Sequence, residues 1–212
     1  MFSSDPLPKD FRSGFVALIG RPNVGKSTLI NRFLGEKVAI TSPVAQTTRN
    51  RLRAILTTKN SQLVLVDTPG IHKPHHLLGE RLVKSARNTL TEVDAVLILF
   101  EGCFSPGRGD IFIVNLLKQK KLPVVVALNK WDLVSENKSN QIEEEYRDLV
   151  DQTSWPIYTC SASTGEGCAR LIDRLSNYLP FGPHLYPPDI VSDQPEKILL
   201  SELIREQVLI HT

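Results

Sequence analysis

The amino-acid sequence predicts an α/β fold in which helices cover both faces of a mostly parallel sheet. Short apolar runs alternate along the chain with longer amphipathic stretches, which is the pattern of parallel strands joined by helices. Of the 212 residues, 41% are hydrophobic and 23% are charged, which is ordinary for a globular protein. No apolar run approaches the roughly 20 residues that a membrane-spanning helix needs. These observations exclude a disordered chain and a membrane-spanning one.

Five apolar runs predict buried strands, and one alternating stretch predicts an edge strand with a solvated face. The buried runs are residues 15–19, 63–66, 95–100, 124–128 and 157–159, and the edge strand is 51–58. Amphipathic spacing predicts helices at residues 26–34, 78–90, 110–120, 141–151 and 167–179. In a sheet of this kind, functional sites lie at the carboxyl ends of the strands.

The composition changes near residue 180. Five prolines between residues 180 and 195 predict an extended linker, because proline breaks helices and removes a hydrogen-bond donor from a ladder. We therefore expect an N-terminal extension at 1–14, a main domain at 15–180, a proline-rich linker at 181–195 and one further helix at 196–212.

Net charge and cysteine usage do not point to a nucleic-acid partner, a disulfide framework or a metal site. The formal net charge of +2 is too small to argue for a nucleic-acid partner. The three cysteines have no CxxC spacing, which favours reduced thiols over a metal site or a disulfide framework. The first residues lack the apolar core of a secretory signal and the arginine-rich bias of a transit peptide. We expect a cytoplasmic protein.

A phosphate-binding loop follows the first predicted strand and precedes the first predicted helix. It fits G-x-x-x-x-G-K-[ST], whose backbone N–H groups cradle phosphates while its lysine reaches the β- and γ-phosphates and its serine binds Mg²⁺. Its members are Gly20, Arg21, Pro22, Asn23, Val24, Gly25, Lys26, Ser27 and Thr28. The motif predicts a nucleoside triphosphate as ligand.

A second motif, Asn129-Lys130-Trp131-Asp132, follows a buried strand and predicts guanine as the base. A buried Asp132 carboxylate would accept hydrogen bonds from N1 and N2 of guanine and would be left unpaired against adenine. Asn129 would face the N7 edge and tie loops together, while the stem of Lys130 would lie along the base. The backbone at Ser161 and Ala162 would cap the 6-oxygen.

Two further segments predict the Mg²⁺ site and the γ-phosphate contacts. Asp67, Thr68, Pro69 and Gly70 follow a buried strand, which places the carboxylate for a contact to Mg²⁺ and the Gly70 N–H for the γ-phosphate. Thr48 lies in a polar stretch before the edge strand and would complete the Mg²⁺ shell. We therefore predict Ser27, Thr48 and Asp67 as metal ligands, and Lys26, Thr48 and Gly70 as catalytic residues.

In their order along the chain and in their residues, these segments resemble the motifs of the Era-like family of bacterial GTPases. The residues that carry the resemblance are the loop at 20–28, the stretches 38–42 and 46–49, Asp67-Thr68-Pro69-Gly70-Ile71, Asn129-Lys130-Trp131-Asp132, and tail segments at 186–189 and 202–206. The resemblance implies a P-loop GTPase fold and a GTP/GDP switch that binds 16S rRNA and the small ribosomal subunit during its maturation.

The same resemblance raises expectations about partners. Members of the family read RNA with a C-terminal KH domain, whereas residues 196–212 hold one predicted helix and no GxxG loop. We therefore expect no direct sequence-specific RNA reading by these 212 residues. We also expect a monomer with peripheral membrane association and no DNA partner. The alternatives are the G domain of a relative that acts in tRNA modification, and a GTP-sensing scaffold that does not hydrolyse GTP.

Hydrolysis must proceed without the glutamine that often follows the D-x-x-G motif, since Ile71 stands there. Asn23 offers one solution, because related G domains use an asparagine at this position to hold a K⁺ ion near the phosphates; an alternative role is to stabilise the loop. We read Arg21 and Arg49 as surface charges. Histidines 72, 75 and 76 are interpreted as part of a solvated loop rather than a metal site.

Overall fold

A computed structural model describes residues 8–39, 52–67 and 89–195, together with residues 197, 201, 204 and 207. Within these ranges six strands form one sheet in the order β2-β3-β1-β4-β5-β6. The strands are β1 (Arg12–Gly20), β2 (Leu52–Thr57), β3 (Ser61–Asp67), β4 (Ala95–Glu101), β5 (Val124–Asn129) and β6 (Ile157–Thr159). Only β2 runs antiparallel to its neighbour, so the predicted mostly parallel sheet is confirmed.

Four α-helices lie in the described ranges. They are α1 (Lys26–Leu34), α2 (Arg108–Lys118), α3 (Glu136–Val150) and α4 (Cys168–Ser176), and a short 3₁₀ turn covers Trp131–Leu133. The bounds of α1 are those that the sequence predicts. The predicted start of α3 at residue 141 is wrong, because its first turns are exposed and therefore carry no apolar periodicity. Helix α2 begins two residues early, where the Asp110 side chain accepts the Gly107 N–H at 2.8 Å.

The core lies in two layers, one on each face of the sheet. Successive residues of β1 point to opposite faces, so Val16 and Leu18 join the layer under α1 and α4. Ala17 and Ile19 join the layer under α2 and α3. All four side chains are fully buried, which fixes the register of the strand and therefore the place where the chain leaves the sheet after Gly20.

The proline-rich stretch lies against the sheet; we call residues 180–195 the docked segment. Its backbone pairs with β1 at Phe181 and with β2 at Ser192, in each case antiparallel. The pairing at β2 includes a bond from the Ile55 N–H to the Val191 carbonyl at 2.8 Å. The docked segment thus adds backbone partners to an otherwise open sheet edge.

A single buried glutamine holds the middle of the docked segment. Gln62, near the amino end of β3, has no solvent exposure. Its Oε1 accepts the N–H groups of Leu185 at 2.7 Å and Tyr186 at 2.9 Å, and its Nε2 donates to the Tyr186 carbonyl at 2.9 Å. Nε2 also donates to Thr57 Oγ1 at 2.9 Å. All the polar atoms of this side chain are therefore satisfied although it is buried.

Candidate functional site

The phosphate-binding loop leaves β1 at the carboxyl edge of the sheet, by which we mean the edge where the parallel strands end. Two of its residues have left-handed backbone angles: Asn23 has φ of 64° and Gly25 has φ of 99°. Asparagine tolerates this conformation, which gives Asn23 a conformational role in the loop. At Gly25 a Cβ atom would lie 2.3 Å from Asn129 Nδ2, so no larger residue fits there without displacing that amide.

Lys26 opens helix α1 and is 93% buried, with 7% relative exposure. Its Nζ donates to the carbonyls of Gly20 at 3.2 Å and Arg21 at 3.0 Å, so the ammonium lies inside the loop it belongs to. Burial lowers the pKa of Lys26, and the negative charge of Asp67 opposes that shift. A phosphate in the loop would stabilise the charged ammonium in the same way.

Asn129 joins the phosphate-binding loop to the loop between β6 and α4, which we call the β6–α4 loop (residues 160–167). Its Nδ2 donates to the Val24 carbonyl at 2.8 Å, and its Oδ1 accepts the Ala162 N–H at 2.9 Å. The side chain is 1% exposed, so the geometry is fixed in a dry interior. The sequence predicted that Asn129 ties loops together, and these two bonds are consistent with that role.

The Ala162 N–H is therefore already bonded, which bears on the predicted cap for the 6-oxygen of guanine. The same loop is closed by bonds from the Thr164 N–H to Ser161 Oγ at 3.1 Å and from the Gly165 N–H to the Ser161 carbonyl at 2.8 Å. Ser161 is fully buried. These bonds make the loop a closed turn next to Asn129.

Asp132 lies on the 3₁₀ turn that follows β5. The turn leaves the sheet, so the carboxylate is exposed rather than buried as the sequence argument assumed. The Ser161 hydroxyl, through a hydrogen bond, is the main cause that holds the pKa of Asp132 below its usual range; Ser163 Oγ, which donates to Oδ2 at 3.2 Å, and the Lys130 charge add to it. The carboxylate therefore stays ionised and oriented beside the β6–α4 loop.

Lys130 and Trp131 are held in place by neighbouring strands. Lys130 adopts φ of 62°, and its Nζ contacts Glu101 Oε1 at 2.5 Å. The Trp131 N–H donates to the Cys160 carbonyl at 3.1 Å, and its ring packs against the core under α2 and α3. These contacts extend the lysine stem over the carboxyl edge, where the sequence places the base. Glu101 was missed by sequence reasoning, although an acidic residue ending a buried strand is a usable signal.

Arg21 is not the surface charge that the sequence suggested. Its Nε lies 2.8 Å from Oδ1 of Asp110, a carboxylate with no solvent exposure at the start of α2. Burial raises the pKa of Asp110, while the Gly107 N–H and Arg21 lower it. A Cβ atom on Gly109 would lie 2.6 Å from Arg21 Cδ, so the arginine stem rests directly on helix backbone. The pair anchors the phosphate-binding loop to α2.

Two of the three predicted Mg²⁺ ligands are described. Ser27 lies in the first turn of α1, and Asp67 ends β3 with 1% exposure. Together they supply a hydroxyl and a carboxylate, which are oxygen donors of the kind that Mg²⁺ prefers. These residues therefore fit the ion. The described residues contain no cluster of three or more His, Cys, Asp or Glu side chains that would hold another metal.

Several predicted residues fall outside the described ranges. They are Thr48, Thr68, Pro69, Gly70 and Ile71, together with Arg49 and the three histidines at 72, 75 and 76. The predicted helix at 78–90, except for residues 89 and 90, and most of the predicted last helix at 196–212 fall there as well. The three cysteines are all described, and none forms a disulfide.

A family model described as "50S ribosome-binding GTPase" matches residues 15–130, and one for the ADP-ribosylation factor family matches residues 111–179. The chain is 53% identical to GTPase Era of Synechocystis sp., with 97% of this chain and 65% of that protein covered. It is 52% identical to GTPase Era of Rippkaea orientalis, with 99% and 67% covered.

Solved structures give the same answer. A variant of Aquifex aeolicus Era bound to GDP and aluminium fluoride has a TM-score of 0.86 and 33% identity, with 95% of this chain and 68% of that chain covered. The chain belongs to the Era family of GTPases. Era in complex with MgGDPNP and nucleotides 1506–1542 of 16S ribosomal RNA also has a TM-score of 0.86, with 35% identity and coverage of 93% and 67%.

The resemblance inferred from the motifs and the P-loop GTPase fold class are thus confirmed. The chain spans 63–67% of the length of the Era relatives it matches. Among the described residues, no helix combines the length and apolar character that crossing a membrane requires.

Proposed function

We propose that this chain is a molecular switch that binds GTP and GDP with Mg²⁺ and hydrolyses GTP to GDP and phosphate. The observation that carries the proposal is the Asn129 bridge between the Val24 carbonyl and the Ala162 N–H. These two bonds hold the loop at residues 20–28 and the β6–α4 loop at a fixed separation at one edge of the sheet. A single ligand that contains both phosphates and a purine would span them.

The residues of the chain would divide the work. Backbone N–H groups of the loop at 20–28 and the Lys26 ammonium would stabilise the negative charge that builds on the phosphates during transfer. Ser27 and Asp67 would hold Mg²⁺, together with Thr48, and the ion would neutralise charge on the β- and γ-phosphates. Asp132, kept ionised by its serine neighbours, would accept the N1 and N2 hydrogens of guanine.

The relatives suggest where the switch acts. Because Era is known in complex with nucleotides 1506–1542 of 16S ribosomal RNA, we propose that this chain acts on the small ribosomal subunit during its maturation. Its 53% identity to a curated Era supports this choice over a relative that acts in tRNA modification. Cosedimentation of the chain with 30S particles, in GTP and in GDP, tests this step.

Base specificity gives a sharp test. Asp132→Asn replaces two acceptor positions with a mixed amide, so GDP affinity should fall by about 2–4 kcal/mol while xanthosine diphosphate gains. Isothermal titration with GDP, xanthosine diphosphate and ADP measures both changes. Asp148→Asn, an exposed aspartate on α3, is the matched control and should change neither. Equal affinity of the unmutated chain for ADP and GDP would overturn the proposal.

Turnover separates the enzyme from a GTP-sensing scaffold, and the choice of salt tests the role of Asn23. We propose that hydrolysis is faster in K⁺ than in Na⁺ at equal ionic strength. Asn23→Gly removes the amide but accepts the φ of 64°, so it should abolish the difference between the salts without distorting the loop. Equal hydrolysis rates in the two salts would show that K⁺ has no role in the mechanism. No turnover in either salt would favour the alternative of a GTP-sensing scaffold that does not hydrolyse GTP.

A further inference from the structure

Arg32, in the last turn of α1, contacts the β6–α4 loop about 130 residues away in sequence. Its Nε donates to the Ala162 carbonyl at 3.0 Å, and its Nη2 donates to the Ser163 carbonyl. The two donors of one guanidinium therefore hold two successive carbonyls. No motif in the sequence singles out this arginine, and its side chain contributes nothing to the core.

The Ala162 carbonyl belongs to the same peptide unit as the Ser163 N–H. The described chain contains no cis peptide, so this carbonyl and this N–H point in opposite directions across a planar bond. When Arg32 holds the carbonyl towards α1, it turns the N–H away from α1. The orientation of that donor is thus set by a side chain that does not touch it.

Among the N–H groups of residues 161–165, that of Ser163 is the one without a hydrogen-bond acceptor in the described part of the chain. Within residues 161–165, the N–H groups of Ser161, Ala162, Thr164 and Gly165 each have an acceptor in the loop or in Asn129. The Ser163 N–H has none among the described residues. The Ser163 hydroxyl lies 3.2 Å from Asp132 Oδ2, so the free N–H lies beside the carboxylate assigned to N1 and N2 of guanine.

We propose that Arg32 is a positioning residue for guanine recognition that aims the Ser163 N–H at the 6-oxygen of the base. In guanine the 6-oxygen neighbours N1, so a donor beside Asp132 faces it. The inference rests on the proposed guanine-nucleotide function and assigns a new residue to the same site. It also shifts the cap predicted at Ser161 and Ala162 by one residue along the backbone.

Three nucleotides that carry the same diphosphate separate this role from a general one. Arg32→Ala should weaken GDP and inosine diphosphate by the same factor, about fivefold, because both carry the 6-oxygen and lose one oriented hydrogen bond. The diphosphate of 2-aminopurine riboside lacks that oxygen and should change by less than about twofold. Arg32→Lys keeps a single donor nitrogen in place of two, so its loss of GDP affinity should lie between that of Arg32→Ala and none. Isothermal titration measures all the affinities.

Two control variants complete the design. Ser163→Ala removes the hydroxyl at Asp132 but keeps the N–H, so the Arg32→Ala effect should persist in that background. Arg170→Ala removes an exposed arginine from α4 and should leave every affinity unchanged. An equal loss for all three nucleotides, or no loss for GDP, would overturn the role of Arg32. The proposed function instead fails if the unmutated chain does not prefer GDP to ADP.

Discussion

Two buried amide side chains, Asn129 and Gln62, do the same chemical work at opposite ends of the sheet. Asn129 is 1% exposed and joins two loops at the carboxyl edge, while Gln62 is fully buried near the amino end of β3 and joins the sheet to the docked segment. Each bonds to backbone groups that are distant in sequence. Only Asn129 belongs to a recognisable motif, so the comparison shows that a motif marks ligand chemistry rather than structural importance.

The difference should appear in what each region controls. Bonds at the carboxyl edge fix the separation of two loops that would grip one ligand, so their loss should change affinity. Bonds at Gln62 satisfy backbone groups that would otherwise be buried without partners, so their loss should change stability.

Gly25→Ala should lower GDP affinity more than about 100-fold, because the new Cβ would lie 2.3 Å from Asn129 Nδ2 and a φ of 99° disfavours a side chain. Isothermal titration measures the loss. Gly35→Ala is the matched control: φ is 72° there, but no heavy atom lies within 4 Å of the new Cβ. It should cost about 1 kcal/mol of stability and leave affinity unchanged. Equal affinity losses in both variants would show that strain, not the Asn129 contact, governs the site.

Gln62→Met keeps the length of the side chain but removes all its hydrogen bonds. The N–H groups of Leu185 and Tyr186 then lose their acceptor, so the free energy of unfolding should fall by about 2–4 kcal/mol. Urea denaturation measures this, and GDP affinity should stay within about twofold. The control is Gln141→Met, which removes an exposed contact to Glu145 and should cost less than about 0.5 kcal/mol. A large loss of affinity in Gln62→Met would contradict the division between the two regions.

The ion pair between Arg53 and Asp193 should contribute least. It joins β2 to the end of the docked segment at 3.4 Å, and the two side chains are 43% and 21% exposed. Solvent screens such a pair, so a double-mutant cycle with Arg53→Ala and Asp193→Asn should give a coupling below about 1 kcal/mol. The coupling should weaken further in 1 M salt, because the distance over which charges act is then screened to about 3 Å. A coupling as large as the effect of Gln62→Met would place the main anchor of the docked segment at this pair.

Features that are set within one short segment could be predicted from the amino-acid sequence alone. The phosphate-binding loop, the bounds of α1 and the order of strands and helices follow from glycine positions and apolar periodicity, which act over a few residues. The motif at 129–132 is likewise a run of neighbouring residues. These features can be predicted because the backbone conformation or ligand contact that they serve is set within one short segment.

Long-range contacts decided the rest. Nothing local marks Arg21 as the partner of Asp110, Gln62 as the anchor of the docked segment, or Arg32 as a donor to the β6–α4 loop. The exposure of Asp132 likewise depends on how its turn leaves the sheet. A polar side chain carries the same donors and charge wherever it lies in the sequence, so its partner is chosen by which segments the folded sheet brings together.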